Sequence, residues 1–434
     1  MDLLLKFKKD YFNYLISIIL PALITGISIP VFKHLLGAKG YGNFSIYLNA
    51  ILIVTSILSG WITQSIILFY PSSANKRLFS RQAIIISART QAIFFIPVLL
   101  VVWLLSHDFY LAILSSLVLL VTCMQFSILP IIQSSFLSKK IIFSELIRVV
   151  TYVTCAVLLL KLSGFSYLYA LFFSVIASYS LSLFYLIKQA RNFFRSEKYT
   201  TEDSGVRKNI FKSFFKYGAP LSLWFVFAYL LSYVDKLFML NTLGGEAQGN
   251  YQAIFDLLSR GIVIIISPII TSLFPILTAA YGKGNNAEIR KLLKKIILYE
   301  MGGYLLASSL YWIFGASLLS IILKTPDTFT YKLMGFIVIT GTFTWQIAIL
   351  VQKRFELKLR SVCLLVMVII AFLAQVLFYL IFKNYNNYLL YPLGFLLSAI
   401  VYLFLVSISE IIAVKKFITP SINNFLKISK AQHT

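Results

Sequence analysis

The chain has 434 residues, 59% of them hydrophobic and only 12% charged, and its 39 Lys and Arg outnumber 15 Asp and Glu to give a formal net charge of +24. A mean hydropathy of +0.86 excludes a soluble domain of this length, in which roughly a quarter of the residues would be charged. The excess of basic residues then belongs to membrane topology and to contact with an anionic leaflet, and not to nucleic-acid binding, which needs a folded basic surface.

A helix that crosses a hydrocarbon core of roughly 30 Å needs about 20 mostly apolar residues. Apolar runs between charged, Gly, Asn and Pro breaks predict twelve spans, at 11–33, 43–70, 82–105, 109–137, 146–161, 165–187, 214–240, 250–277, 293–323, 329–351, 361–382 and 388–414. The first follows a short basic segment, exceeds signal-peptide length and ends at Phe32-Lys33-His34 without a small-residue cleavage site, so it is expected to be retained. The fifth is the weakest, trimmed by Ser144, Glu145, Arg148 and Lys161 to about the shortest helix that spans.

Basic residues test that order independently. With each span-end residue counted in the connection it adjoins, 30 of the 39 Lys and Arg fall at the N-terminus, after spans 2, 4, 6, 8 and 10, and in the C-terminal tail; six fall in the other connections and three inside spans. The alternation predicts that both termini are cytoplasmic, and it supports the fifth span, whose loss would scramble the pattern. Cys123, Cys155 and Cys363 all lie inside runs, so neither a disulfide framework nor a metal site is expected, and nothing calls for a cofactor. No GxxxxGK[ST] loop is present for ATP.

The longest basic connection, 188–212, divides the chain into an N-terminal six-helix bundle (1–187), a cytoplasmic linker (188–212), a C-terminal six-helix bundle (213–416) and a cytoplasmic tail (417–434). An internal repeat fits that division. Leu36-Gly37-Ala38-Lys39-Gly40-Tyr41-Gly42-Asn43-Phe44 recurs 207 residues later as Leu243-Gly244-Gly245-Glu246-Ala247-Gln248-Gly249-Asn250-Tyr251, between the first and second helices of each half. Such repeats predict two pseudo-symmetric bundles around a central cavity.

A charge inside a span costs about 2.5–3.5 kcal/mol on insertion scales and so marks a pathway or an ion pair. Here these are Arg89, Asp235, Lys236, Asp256, Arg260, Glu300 and Glu410. Asp256 and Arg260 have the i,i+4 order that favours a neutralising pair. Asp235 and Lys236 point about 100° apart on their helix, so one of the two is expected to face the cavity. Arg89 is about two turns inside helix 3, where it reads either as a snorkelling residue or as part of a path. His34 reads as an interface residue. Pro21, Gly26, Pro30 and Pro220 permit bends in helices 1 and 7, the expected moving pair.

Three stretches resemble the polysaccharide and O-antigen flippases of the multidrug/oligosaccharidyl-lipid/polysaccharide (MOP) superfamily. They are His34 to Phe44 followed by Trp61-Ile62-Thr63-Gln64-Ser65-Ile66 and Phe69-Tyr70-Pro71; Tyr217-Gly218-Ala219-Pro220-Leu221 leading to Asp235-Lys236; and Gly249-Asn250-Tyr251 through Pro268 to Phe274-Pro275. Many relatives have an arginine before the Phe-Tyr-Pro; this chain has Leu68 there. The resemblance implies a two-bundle, non-enzymatic transporter of the bacterial inner membrane that flips undecaprenyl-diphosphate-linked oligosaccharide, such as O-antigen or capsule units, by alternating access. It also implies a polysaccharide polymerase and assembly proteins as partners. A crossing diphosphate needs cations, and Arg89, Lys236 and Arg260 are the candidates, with Asp235, Asp256 and Glu300 as coupling or ion-pair candidates. A drug or organic-cation antiporter and a peptidoglycan-precursor flippase share this fold. A membrane polymerase or glycosyltransferase would need a long extracytoplasmic loop, and no outer connection exceeds about twelve residues.

Overall fold

The computed structural model describes residues 2–70, 73, 75–135, 137–162, 166–194, 203–282, 286–324, 328–358, 360–385 and 387–416, and its secondary structure is helical throughout. The expected tail 417–434 and the stretch 195–202 of the expected linker lie outside the described residues, as do the side chains of Pro21, Pro268, Phe274, Pro275 and Glu410.

The helices are α1 (Asp2–Phe69), α2 (Lys76–Ser106), α3 (Phe109–Ser134), α4 (Ser138–Leu162), α5 (Tyr167–Phe194), α6 (Asp203–Leu243), α7 (Gly245–Gly282), α8 (Asn286–Leu310), α9 (Ala316–Leu323), α10 (Phe329–Leu357), α11 (Ser361–Phe382) and α12 (Leu390–Lys416). With α1 divided at its internal break and α8 joined to α9 through the π-helical turn Tyr311–Gly315, they fall on the twelve apolar runs in order. Among the described residues, ten helices are long and apolar enough to cross a membrane. Their outer faces are apolar, as with Ile93, Ile96, Leu100 and Leu104 on α2 and Leu298, Leu305 and Ile313 beyond α7. Backbone groups bonded within each helix and an apolar exterior are what a bilayer demands.

The break in α1 is at Gly37, with φ 71° and ψ 168°. The turn between α6 and α7 is at Gly244, with φ 85°. These two glycines occupy the same place in the 207-residue repeat, and only glycine takes such a backbone without strain. The sequence repeat is thus also a repeat of backbone conformation, each copy turning one helix into the next.

The weak fifth span is longer than the apolar run suggests. Helix α4 starts at Ser138, and its polar residues are absorbed by partners instead of trimming it. Ser144 Oγ meets Ser182 Oγ of α5 at 2.7 Å, and Arg148 Nη2 lies 2.6 Å from Glu145 Oε2 one turn away. A paired charge enters a span at far lower cost than a bare one. The expected linker is likewise helical at both ends, since α5 runs to Phe194 and α6 begins at Asp203.

Helix α1 is the hub of the packing. It lies most extensively against α7 and α6, while α4 pairs with α5 and α10 with α12. On the α1–α6 seam, Ser65 Oγ donates to the Phe214 carbonyl at 3.1 Å and Trp61 meets Phe211 and Phe215 edge-on. At the Gly37 end, Lys33 Nζ donates to the Leu323 carbonyl at 2.5 Å and His34 Nε2 lies 3.1 Å from the Ile322 carbonyl. The expected interface histidine therefore joins α1 to the last turn of α9.

Candidate functional site

Four intramembrane charges of the second half, Asp235, Lys236, Asp256 and Arg260, converge where α1, α6 and α7 meet. Asp235 and Lys236 are on α6, and α7 carries Gln248, Gln252, Asp256 and Arg260 at successive i,i+4 positions, a polar stripe about 18 Å long. Tyr41 reaches in from α1, just beyond the break at Gly37.

Each carboxylate is held by tyrosine. Tyr251 Oη donates to Asp235 Oδ2 at 2.5 Å, and the backbone N–H of Lys236 donates to Asp235 Oδ1 at 2.8 Å. Tyr41 Oη donates to Asp256 Oδ2 at 2.8 Å, joined by Gln252 Nε2 at 2.6 Å. The Arg260 guanidinium is 4.0 Å from Asp256 Oδ1, so the expected pair exists but is loose, and Asp256 is satisfied without it.

One member of Asp235-Lys236 was expected to face a cavity; both are buried instead, at 0% and 2% exposure. The Lys236 ammonium lies 4.8 Å from the centre of the Phe255 ring, in the field of both Asp256 and Asp235. The i,i+1 geometry still holds, because the two side chains diverge into different parts of the packed seam.

Accessible charge is distributed differently. The side chains of Arg260 and Arg148 keep 45% and 26% of their surface open, although α4, α5 and α7 surround them with protein. Arg148 lies 5.2 Å from the centre of the Tyr179 ring of α5, and Tyr152 of α4 feels both arginines. Tyr229 of α6, an exposed aromatic, stands near Tyr179. Arg148, Arg260 and the rings of Tyr152, Tyr179 and Tyr229 thus stand near one another on α4, α5, α6 and α7 with the two guanidiniums partly exposed, while Asp235 and Asp256 are packed away.

Of the sequence candidates, the structure brings Lys236, Arg260, Asp235 and Asp256 together. Arg89 stands apart. It is exposed on α2, in line with Ile93, Ile96 and Leu100 on the apolar outer stripe. Glu300 on α8 is also separate, buried at 3%. Arg148 was missed as a site residue, since from the sequence it only trimmed a span; the signal was its Glu145 partner at i−3, which lets an arginine sit deep in a helix.

Among the described residues no cluster of three or more His, Cys, Asp or Glu could hold a metal.

A family profile described as "Polysaccharide biosynthesis protein" matches residues 7–281. Solved structures with the same fold include a variant of the Vibrio cholerae MATE transporter VcmN, 12% identical, covering 94% of this chain and 96% of that one with a TM-score of 0.71. Another is a MOP superfamily transporter from Pyrococcus furiosus described as having a binding pocket of reversed polarity, 14% identical, covering 95% and 97% of the two chains with a TM-score of 0.70. No curated protein sequence matches the chain.

Proposed function

Because the chain belongs to the polysaccharide biosynthesis protein family and has the fold of the MOP superfamily of membrane transporters, we propose that it flips undecaprenyl-diphosphate-linked oligosaccharide from the cytoplasmic to the outer leaflet of the bacterial inner membrane. The observation that carries this reading is the difference in exposure: the Arg260 side chain keeps 45% of its surface open and Arg148, ion-paired with Glu145, keeps 26%, whereas Asp235 and Asp256 are buried and hydrogen-bonded. A site whose most exposed charge is the Arg260 guanidinium favours an anion, and a guanidinium fork matches phosphate oxygens bidentately. Tyrosine rings beside them offer flat faces and hydroxyls for sugars.

In this reading 1–187 and 213–416 form the two six-helix bundles, joined at 188–212, with both termini cytoplasmic. Arg260 and Arg148 receive the diphosphate, Lys236 holds the carboxylates apart until the α1–α7 seam moves, and Arg89 serves at the bilayer surface. The Lys33 and His34 contacts tie the Gly37 end of α1 to α9, and in this reading alternating access requires them to part.

The drug-antiporter reading draws on the fold shared with the MATE structures, and it would favour a cavity with reachable acids. The test is reconstitution of the purified chain in liposomes with undecaprenyl-diphosphate-linked oligosaccharide, reading its appearance in the opposite leaflet. Deletion of the gene is expected to leave surface polysaccharide without its repeat units. Normal polysaccharide with heightened drug sensitivity sinks the flippase reading in favour of the antiporter, and a peptidoglycan defect favours the precursor flippase.

A further inference from the structure

Among the described intramembrane acids of the second half, Glu300 is the one whose carboxylate accepts no hydrogen bond and forms no ion pair. It is 3% exposed, and neither of its carboxylate oxygens has a hydrogen-bond partner among the described residues. It heads a stripe along one face of α8: Glu300, Tyr304, Ser308 and Tyr311 follow at i, i+4, i+8 and i+11, a length of about 16 Å. That face packs on α10. Tyr304 Oη lies 3.2 Å from Thr340 Oγ1, and Tyr311 Oη donates to the Lys332 carbonyl at 2.9 Å. The Ser308 hydroxyl between them is buried and also unpartnered. At the far end the helix widens into the π turn Tyr311–Gly315, a feature that loosens the backbone ladder and recurs at functional sites.

The antiparallel pairing of Tyr304 with Thr340 and of Tyr311 with Lys332 sets Glu300 opposite the turn at Phe343 and Thr344, which carries no charge. On α10 the nearest charged residues, Lys332 and Lys353, are at the two ends. On α7 no Asp, Glu, Lys, Arg or His occurs between Arg260 and Gly282. On α8 itself Lys295 lies over the Tyr299 ring, 5.7 Å from its centre, and Tyr299 and Tyr304 are the remaining titratable groups nearby. A bare carboxylate with no cation and no donor in such a place costs several kcal/mol, and protonation removes that cost. Among the described residues no group of three or more His, Cys, Asp or Glu includes Glu300; a proton needs a single carboxylate oxygen.

We propose that Glu300 is a proton-binding site in the α8–α10 seam, and that its protonation and release are coupled to the transport cycle. The step is acid–base alone: a carboxylate oxygen takes a proton from water when the α8–α10 seam opens, and returns it to water on the other half of the cycle. The inference rests on the transporter reading but not on the identity of its substrate.

The experiment is infrared difference spectroscopy of the full chain reconstituted in lipid, titrated with acid in sodium-free buffer. A protonated-carboxyl stretch that grows with acid and is missing from Glu300→Gln is expected. The isosteric amide mimics the protonated form, so this variant should insert at the wild-type level. A stretch unchanged in Glu300→Gln overturns the proposal. So does a variant that fails to accumulate while Glu300→Asp accumulates normally, since the site would then require a charge. A spectrum that responds to added sodium and not to acid overturns it in favour of a metal cation. In proteoliposomes, flipping by the wild type should rise with an imposed pH gradient and flipping by Glu300→Gln should not. If no oligosaccharide is flipped but the Glu300 stretch titrates, the substrate assignment falls and the proton site stands.

Discussion

Gly42 of α1 and Gly249 of α7, equivalent residues of the 207-residue repeat, meet where the two helices cross: a Cβ on Gly42 would lie 3.1 Å from Gly249 Cα. The two copies of the motif therefore touch one another at their own glycines. A Cβ on Gly249 would collide with the Ala38 carbonyl, which is backbone, whereas one on Gly42 would first meet the Gln248 side-chain amide.

Gly249→Ala should accordingly be the more damaging of the two. Overpacking of this kind costs about 1–3 kcal/mol, and here the α1 backbone itself must give. The check is the apparent Tm of each variant in detergent; equal Tm values for wild type and Gly249→Ala would contradict the close crossing.

Arg260→Ala and Arg148→Ala should separate in protein level. Asp256 keeps its hydrogen bonds from Tyr41 and Gln252, so loss of Arg260 should leave abundance near wild type while cutting flipping about tenfold or more, the worth of a charged hydrogen bond. Arg148→Ala strands Glu145, whose close partner it is, and should lower abundance as well; Glu145→Gln in the same chain should restore the level but not the transport. Quantitative immunoblotting beside a flipping assay distinguishes the two, and full transport in both single variants would remove the arginines from the site.

Tyr251→Phe removes the hydroxyl on Asp235 and leaves a buried carboxylate short of a donor. The expected loss is about 1–3 kcal/mol, read as a lower apparent Tm, and Asp235→Asn should recover part of it because an amide is cheaper to bury than a charge. A Tyr251→Phe chain as stable as wild type would mean that the bond carries no weight.

Asp108 links pH to the α2–α3 connection. Its side chain accepts from the Leu111 N–H at 3.0 Å, capping α3, and from Tyr169 Oη at 2.5 Å. The Tyr169 hydroxyl, followed by the Leu111 amide, lowers its pKa below the usual 3.8. A carboxylate depressed by folding contributes stability that is present above pH 4 and lost as pH falls through the folded value. Tm should therefore drop on acidification below about pH 4 more steeply in wild type than in Asp108→Asn, which keeps a capping oxygen but cannot titrate. Parallel curves for the two chains would exclude the link.

The order of helices, the repeated connections that hold Gly37 and Gly244, and the i,i+4 pairing of Asp256 with Arg260 were all legible in the sequence. Each depends on properties that the chain carries locally: an apolar run long enough for a bilayer, a glycine where the backbone must take positive φ, and helical spacing that sets charges side by side. Tertiary packing decided which of those charges meets solvent. Lys236 and Arg260 read alike as intramembrane cations, yet one is sealed against Phe255 and the other is open, because the face a side chain presents depends on which helices lie against its own. Arg148 was invisible as a site residue for the same reason, its role depending on Tyr179 and Arg260 from distant parts of the chain. Glu300 was legible as a costly charge, but its lack of any partner emerged only once α8 was laid along α10, since no local pattern says what is absent from the neighbouring helix.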